Sequence, residues 1–234
     1  MILGIMQPYF FPYLGYFDLI NYSDKWIVFD TVQYIRHGWI NRNRILYPQK
    51  QWCYITIPVK KHSRNTLIKD IEVTENTDWR NKILAQLQHY KKKAPYCYKI
   101  YQLVEESLQI KEQKISHLNA KILEKVCQYI EIPFSYQHIS EMNLELVDIN
   151  NPGDWALQIS KTLQATEYVN PPRGEDIFNK SDFNTSGIEL TIRQLPQFEY
   201  DCKDYDFTAN LSIIDVLMWN TPAEVKNYLD NKLA

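Results

Sequence analysis

The chain has 234 residues, 45% hydrophobic and 23% charged, which is enough length and apolar content to bury a substantial core. A formal net charge of −2 at pH 7 supplies no global basic field, so nonspecific nucleic-acid binding is not expected. No run approaches the roughly 18 apolar residues of a membrane span, and no basic stretch leads into an apolar leader, so a cytoplasmic protein without membrane insertion is expected.

In chain order, "ILGIM" (2–6) reads as a short buried strand ended by Pro8. The aromatic, proline-stiffened "MQPYFFPYLGYF" (6–17) follows as a loop, then "YFDLIN" (16–21) as a short helix and "DKWIVFD" (24–30) as a second strand. This β–loop–α–β opening favours a Rossmann-like, mainly parallel α/β sheet with ligand chemistry at the carboxyl ends of the strands, where Gln7 and Asp30 would both fall. Residues 38–61 look β-rich, with Pro58 pushing "WCYITIPV" toward an edge, and "IKDIEVT" (68–74) reads as a further strand.

From Thr77 the period changes to helical. Asp78 is placed to cap a helix carrying Trp79, Ile83, Leu87 and Tyr90, and a second helix follows Pro95 with Ile100, Leu103, Val104 and Leu108. A third begins near Lys114 with Ile115, Leu118, Ile122, Val126 and Ile130 on one face. These three amphipathic helices make 77–131 a helical insertion or subdomain within a single α/β domain spanning 1–234. Residues 132–140 return to strand, 151–178 read as turn, helix, strand and loop, and 187–195 as a strand. Helices over 211–220 and at the C-terminus close the chain.

The six glycines stand too far apart for GxGxxG or GxxxxGK[ST], so a phosphate would have to be held by side chains or a helix N-terminus. Candidate polar residues cluster at Gln7, Asp30, Gln33, Tyr34, Asn41, Arg42, Asn43 and Arg44. In an extended segment Arg42 and Arg44 share one side and the two asparagines the other. Arginine forks match phosphate or carboxylate, so the pair either binds a diphosphate-bearing ligand or is neutralised by acids such as Asp30. "NPPRGED" presents Arg173 on a stiff loop after a strand, and Asp215 lies in the apolar helix "LSIIDVLMW", where it pairs with an arginine or faces solvent. His37 is the histidine closest to the polar cluster and a candidate base. No HxxxH or HxH spacing suggests a metal site, and the four cysteines form no CxxC pair and no nucleophile motif, as expected of reduced thiols.

"MQPYFFPYLGYFDLI", "DKWIVFDTVQYIRHGWINRNRIL" and "LSIIDVLMWN" resemble the WbqC-like protein family over nearly the whole chain. The resemblance implies a bacterial cytoplasmic protein associated with O-antigen and other surface-polysaccharide synthesis. It implies transfer of an acyl or aminoacyl group to the amine of a nucleotide-linked amino sugar, with glycosyl transfer or a non-enzymatic binding or scaffold role as alternatives. Its partners would be a nucleotide-linked sugar and an acyl or sugar donor; no cofactor is named, and an oligomer is left open. The matching positions are Gln7, Asp30, Gln33, Tyr34, Trp39, Asn41, Arg42, Asn43, Arg44 and Asp215. From the residues themselves, Asp30 or His37 would remove the amine proton, and in the proline-stiffened loop Tyr9 and Phe10 would wall the pocket while other rings anchor it in the core.

Overall fold

A computed structural model describes residues 1–231, the side chain of Arg173 excepted. The chain opens as β1 (Ile2–Met6), α1 (Leu14–Tyr22) and β2 (Lys25–Val28), then forms an antiparallel hairpin of β3 (Arg42–Tyr47) and β4 (Gln51–Thr56). Three helices follow, α2 (Trp79–Gln86), α3 (Cys97–Leu108) and α4 (Ile115–Tyr129), before the sheet resumes with β5 (Tyr136–His138). α5 (Asp154–Thr162), β6 (Glu167–Asn170), α6 (Lys180–Thr185) and β7 (Glu189–Ile192) complete it, and α7 (Ile213–Trp219) and α8 (Pro222–Asp230) end the described chain.

The five sheet strands lie in the order β5-β2-β1-β6-β7, and every pairing is parallel. This is the Rossmann-like α/β arrangement expected from the opening unit. Strand order reverses between β1 and β6, the switch point of a doubly wound sheet. Successive residues face opposite sides of the sheet. Leu3, Ile5, Ile27 and Tyr168 therefore join α5 and α6 in one apolar layer. Trp26, Val28 and Val169 join α1, the hairpin and the three middle helices in the other.

The aromatic stretch after β1 is a buried turn pinned by its carbonyls. Phe10 and Phe11 are fully buried and meet edge to face at 4.9 Å. Asn119 donates to the Pro8 carbonyl at 2.8 Å, Asn43 to those of Phe10 and Phe11 at 3.0 and 2.9 Å, and Ser212 to that of Phe11 at 2.7 Å. Buried carbonyls need such partners. They also hold Phe11 in the left-handed region at φ 38°, which a phenylalanine rarely adopts unaided.

Several local expectations give way to tertiary contacts. Residues 68–74 form no strand: Ile68–Asp70 is a 3-10 turn, and Glu72 and Val73 bridge to separate partners, Lys114 and Val59, so no neighbour supplies a continuous ladder. Asp78 occupies the cap position of α2 but accepts from the Asn81 amide instead of the backbone. The strand over 132–140 shrinks to three residues after Pro133. Asp215 finds neither an arginine nor solvent. It is buried and accepts from the hydroxyls of Tyr90 and, at 2.6 Å, Tyr200.

β1 carries a glycine where β2 needs room. A Cβ on Gly4 would stand 2.4 Å from the Trp26 ring and 2.7 Å from the Ser23 hydroxyl. Gly4→Ala is expected to destabilise the protein by about 1–3 kcal/mol through overpacking. Urea unfolding checks this, and an unchanged midpoint would mean the Trp26 ring is not held in place.

Candidate functional site

Asp30 lies two residues past the end of β2 and is fully buried. Its carboxylate collects four donor contacts. Ser116, in the first turn of α4, donates to Oδ2 at 2.9 Å, and the Ser140 hydroxyl does the same at 2.9 Å. The Ser140 backbone N–H reaches Oδ1 at 3.2 Å, and His138 Nδ1 lies 3.2 Å from Oδ2. Burial pushes the Asp30 pKa upward, but hydrogen bonds from His138, Ser116 and Ser140 outweigh it and leave the carboxyl below the ordinary value of 3.8. Asp30 is an ionised acceptor with its capacity taken up internally.

An ionised carboxylate beside His138 Nδ1 favours a proton on that nitrogen, because two lone pairs facing each other would repel. Ser116 Oγ, 3.1 Å from Nδ1, can share the same N–H. His138 Nε2 then keeps its lone pair and has no hydrogen-bond partner among the described residues. The imidazole lines an open cleft of about 760 Å³, together with His117, Tyr136, Glu141 and Asn143. That volume lies within the range of small-molecule sites. His117 stacks on His138 with centroids 4.2 Å apart and an interplanar angle of 14°, and its Nε2 lies 2.8 Å from the Glu141 carboxylate. A carboxylate that orients an imidazole beside a cleft, with the far nitrogen left unpartnered, is an arrangement for moving protons.

The other sequence-expected residues are spread over several places. Phe10, Tyr34, Asn43 and Asp215 are buried and engaged in internal contacts, Tyr34 meeting His62 edge to face at 5.0 Å. Gln7 and Tyr9 are half-buried beyond β1. The Gln7 carbonyl accepts from Tyr16 and Tyr9 packs 5.7 Å from Tyr16, while the Gln7 amide has no hydrogen-bond partner among the described residues. Gln33 donates to the Arg64 carbonyl and Asn41 to that of Ile57. Trp39, Arg42 and Arg44 come together on the hairpin, where Arg44 lies 5.3 Å from the Trp39 ring and 5.2 Å from that of Trp52. His37 is exposed, at φ 64°, and its carbonyl accepts from Arg42; its ring does not line the cleft. The side chain of Arg173 lies outside the described residues.

Ser116, His117, His138, Ser140 and Glu141 were not singled out by sequence reasoning. The available signal was a shared pattern: "IVFD" and "SYQHIS" both end a short strand on a polar residue, and in a parallel sheet such ends lie side by side. The four cysteines are free thiols whose pKa values burial raises, that of Cys202 to about 12. They are poor nucleophiles. Among the described residues no group of three or more His, Cys, Asp or Glu is arranged to hold a metal ion, and no helix is long and apolar enough to cross a membrane.

A profile of the WbqC-like protein family matches residues 7–227. The chain belongs to this family. It is also 31% identical over 245 aligned residues to the uncharacterized protein Rv1507c of Mycobacterium tuberculosis, an alignment covering 97% of this chain and 96% of that protein. No solved structure gives a significant match. The span of this WbqC-like match takes in Asp30, the hairpin arginines and the His138 cluster alike.

The depressed pKa of Asp30 fixes the sign of a pH effect. Its contribution to stability is fully present above the ordinary value of 3.8 and is lost as pH falls through the lower folded value. Asp30→Asn should therefore be less stable than the parent at neutral pH, with the difference shrinking below pH 3.8. Denaturant unfolding across that range tests it, and a gap that widens in acid would contradict the assignment.

Proposed function

We propose that this WbqC-like protein is a cytoplasmic enzyme of surface-polysaccharide synthesis that transfers an acyl or aminoacyl group to the amine of a nucleotide-linked amino sugar. The observation that carries the reading is His138, oriented through Nδ1 by a buried, ionised Asp30, lining the cleft and with Nε2 left without a hydrogen-bond partner among the described residues. In the transfer, the amine nitrogen attacks the carbonyl carbon of an activated donor, a thioester or ester. The C–N bond forms as the bond to the thiolate or alkoxide breaks. His138 Nε2 accepts the proton that the amine loses and returns it to the leaving group, so atoms and charge balance.

No enzyme nucleophile is required, which agrees with buried thiols of raised pKa. Asp30 does not touch the substrate in this scheme. It holds the imidazole in one tautomer and stabilises the imidazolium formed when the proton arrives. Ser116 and Ser140 position Asp30, and Glu141 with His117 borders the place where the amine would sit. Asp30 and His138 thus serve together.

Incubation of the purified protein with nucleotide-linked amino sugars and a panel of acyl thioesters and aminoacyl esters, followed by mass spectrometry, is expected to give an N-acylated sugar nucleotide. His138→Asn should lower the rate by about 10²–10⁴-fold, the usual worth of a positioned general base. Asp30→Asn should lower it at unchanged KM. No product across the panel, or a His138→Asn variant at the parent rate, would overturn the reading.

A further inference from the structure

The hairpin of β3 and β4 carries chemistry that proton transfer at His138 does not use. Arg42 and Arg44 are two residues apart on one face of β3, a spacing of about 7 Å. Arg42 lies 4.0 Å over the Tyr54 ring, and Arg44 sits between Trp39 and Trp52. Neither guanidinium has an acidic partner among the described residues. Each makes a single hydrogen bond, Arg42 to the His37 carbonyl and Arg44 to the Asn210 carbonyl at 3.3 Å. The Nε atoms of both are buried without any partner.

Along the sequence the charge of this stretch is one-sided. Between Asp30 and Asp70 the chain carries eight lysines and arginines and no aspartate or glutamate, although its net charge is −2. Among the described residues only Lys60 of these eight has an acidic partner, Glu72. A guanidinium offers five donors, and each of these two has a single hydrogen-bond partner in the protein. Two arginine forks packed beside aromatic rings, neither with an acidic partner among the described residues, are placed to take an anion with several acceptor oxygens. Phosphate fits a fork in bidentate fashion, and two linked phosphates fit two adjacent forks. Tryptophan and tyrosine edges beside them offer apolar surface for a base or sugar.

We propose that the Arg42–Arg44 face of the hairpin binds the diphosphate of a nucleoside-diphosphate-linked ligand, each guanidinium taking one phosphate. The inference rests on the transfer reading for the identity of the attached sugar; the diphosphate follows from the hairpin alone.

Isothermal titration of the full chain with uridine diphosphate, adenosine diphosphate and inorganic pyrophosphate tests it. At least one nucleoside diphosphate is expected to bind the parent protein. Arg42→Gln and Arg44→Gln should each weaken it by about tenfold or more, and the double variant should abolish it. Lys61→Gln, an exposed cation in the same stretch, should stay within about twofold. Arg44→Lys keeps the charge and loses the fork. With an unchanged melting temperature and weakened binding, it separates bidentate recognition from a folding defect. His138→Asn should bind as the parent does. Absence of binding by all three probes, or binding indifferent to both arginines, would overturn the proposal. So would tighter binding of a roughly ten-nucleotide single strand, which would make this face a nucleic-acid surface. Diphosphate binding without any transfer product would defeat the transfer reading alone, whereas transfer at unchanged KM in the double arginine variant would defeat this one alone.

Discussion

A carboxylate removed from water must be given hydrogen bonds to replace its hydration, or it gives up its charge. Asp30 meets that requirement by drawing three parts of the chain to one point: the end of β2, the first turn of α4 and the end of β5. Its own carbonyl adds a fourth tie by accepting from Lys69. The position of β5 against β2, and of the helical section against the sheet, is consistent with this single constraint. The imidazole is held by the same oxygen that joins the elements.

A second buried carboxylate shows how differently the same residue can be used. Asp215 is closed in by Tyr90 and Tyr200, and burial raises its pKa against the pull of their hydrogen bonds. Its side chain is buried among the core residues. Tyr90 also accepts from the Leu46 backbone at 3.1 Å, so this network ties α7 to the hairpin. Asp215 stabilises the platform from which Arg42 and Arg44 project, whereas Asp30 lies behind a reactive group.

The sheet was legible in the sequence because its strands are short apolar runs bounded by prolines and polar residues, and period and propensity are local properties. The placement of Asp30 at a strand end was legible for the same reason. Its partners were not, because Ser116 and His138 stand 86 and 108 residues further along, and nothing in the spacing of either announces the other. The aromatic stretch after β1 was expected to anchor some rings in the core and to wall a pocket with one or two. Buried carbonyls recruited Asn43, Asn119 and Ser212, and Phe10 entered the core beside Phe11. Arg42 and Arg44 fell on one face as strand geometry requires, and the stretch between Asp30 and Asp70 carries no acid in the sequence.

Proton acceptance at His138 depends on which of its ring nitrogens carries the proton. Long-range ¹⁵N–¹H correlation of the imidazole at a pH where the ring is neutral reads this directly. The geometry at Asp30 predicts the Nδ1–H tautomer, with Nε2 showing the shift of an unprotonated nitrogen, and loss of that preference in Asp30→Asn. A ring that carries its proton on Nε2 would contradict the account, because the nitrogen not held by Asp30 could then accept nothing.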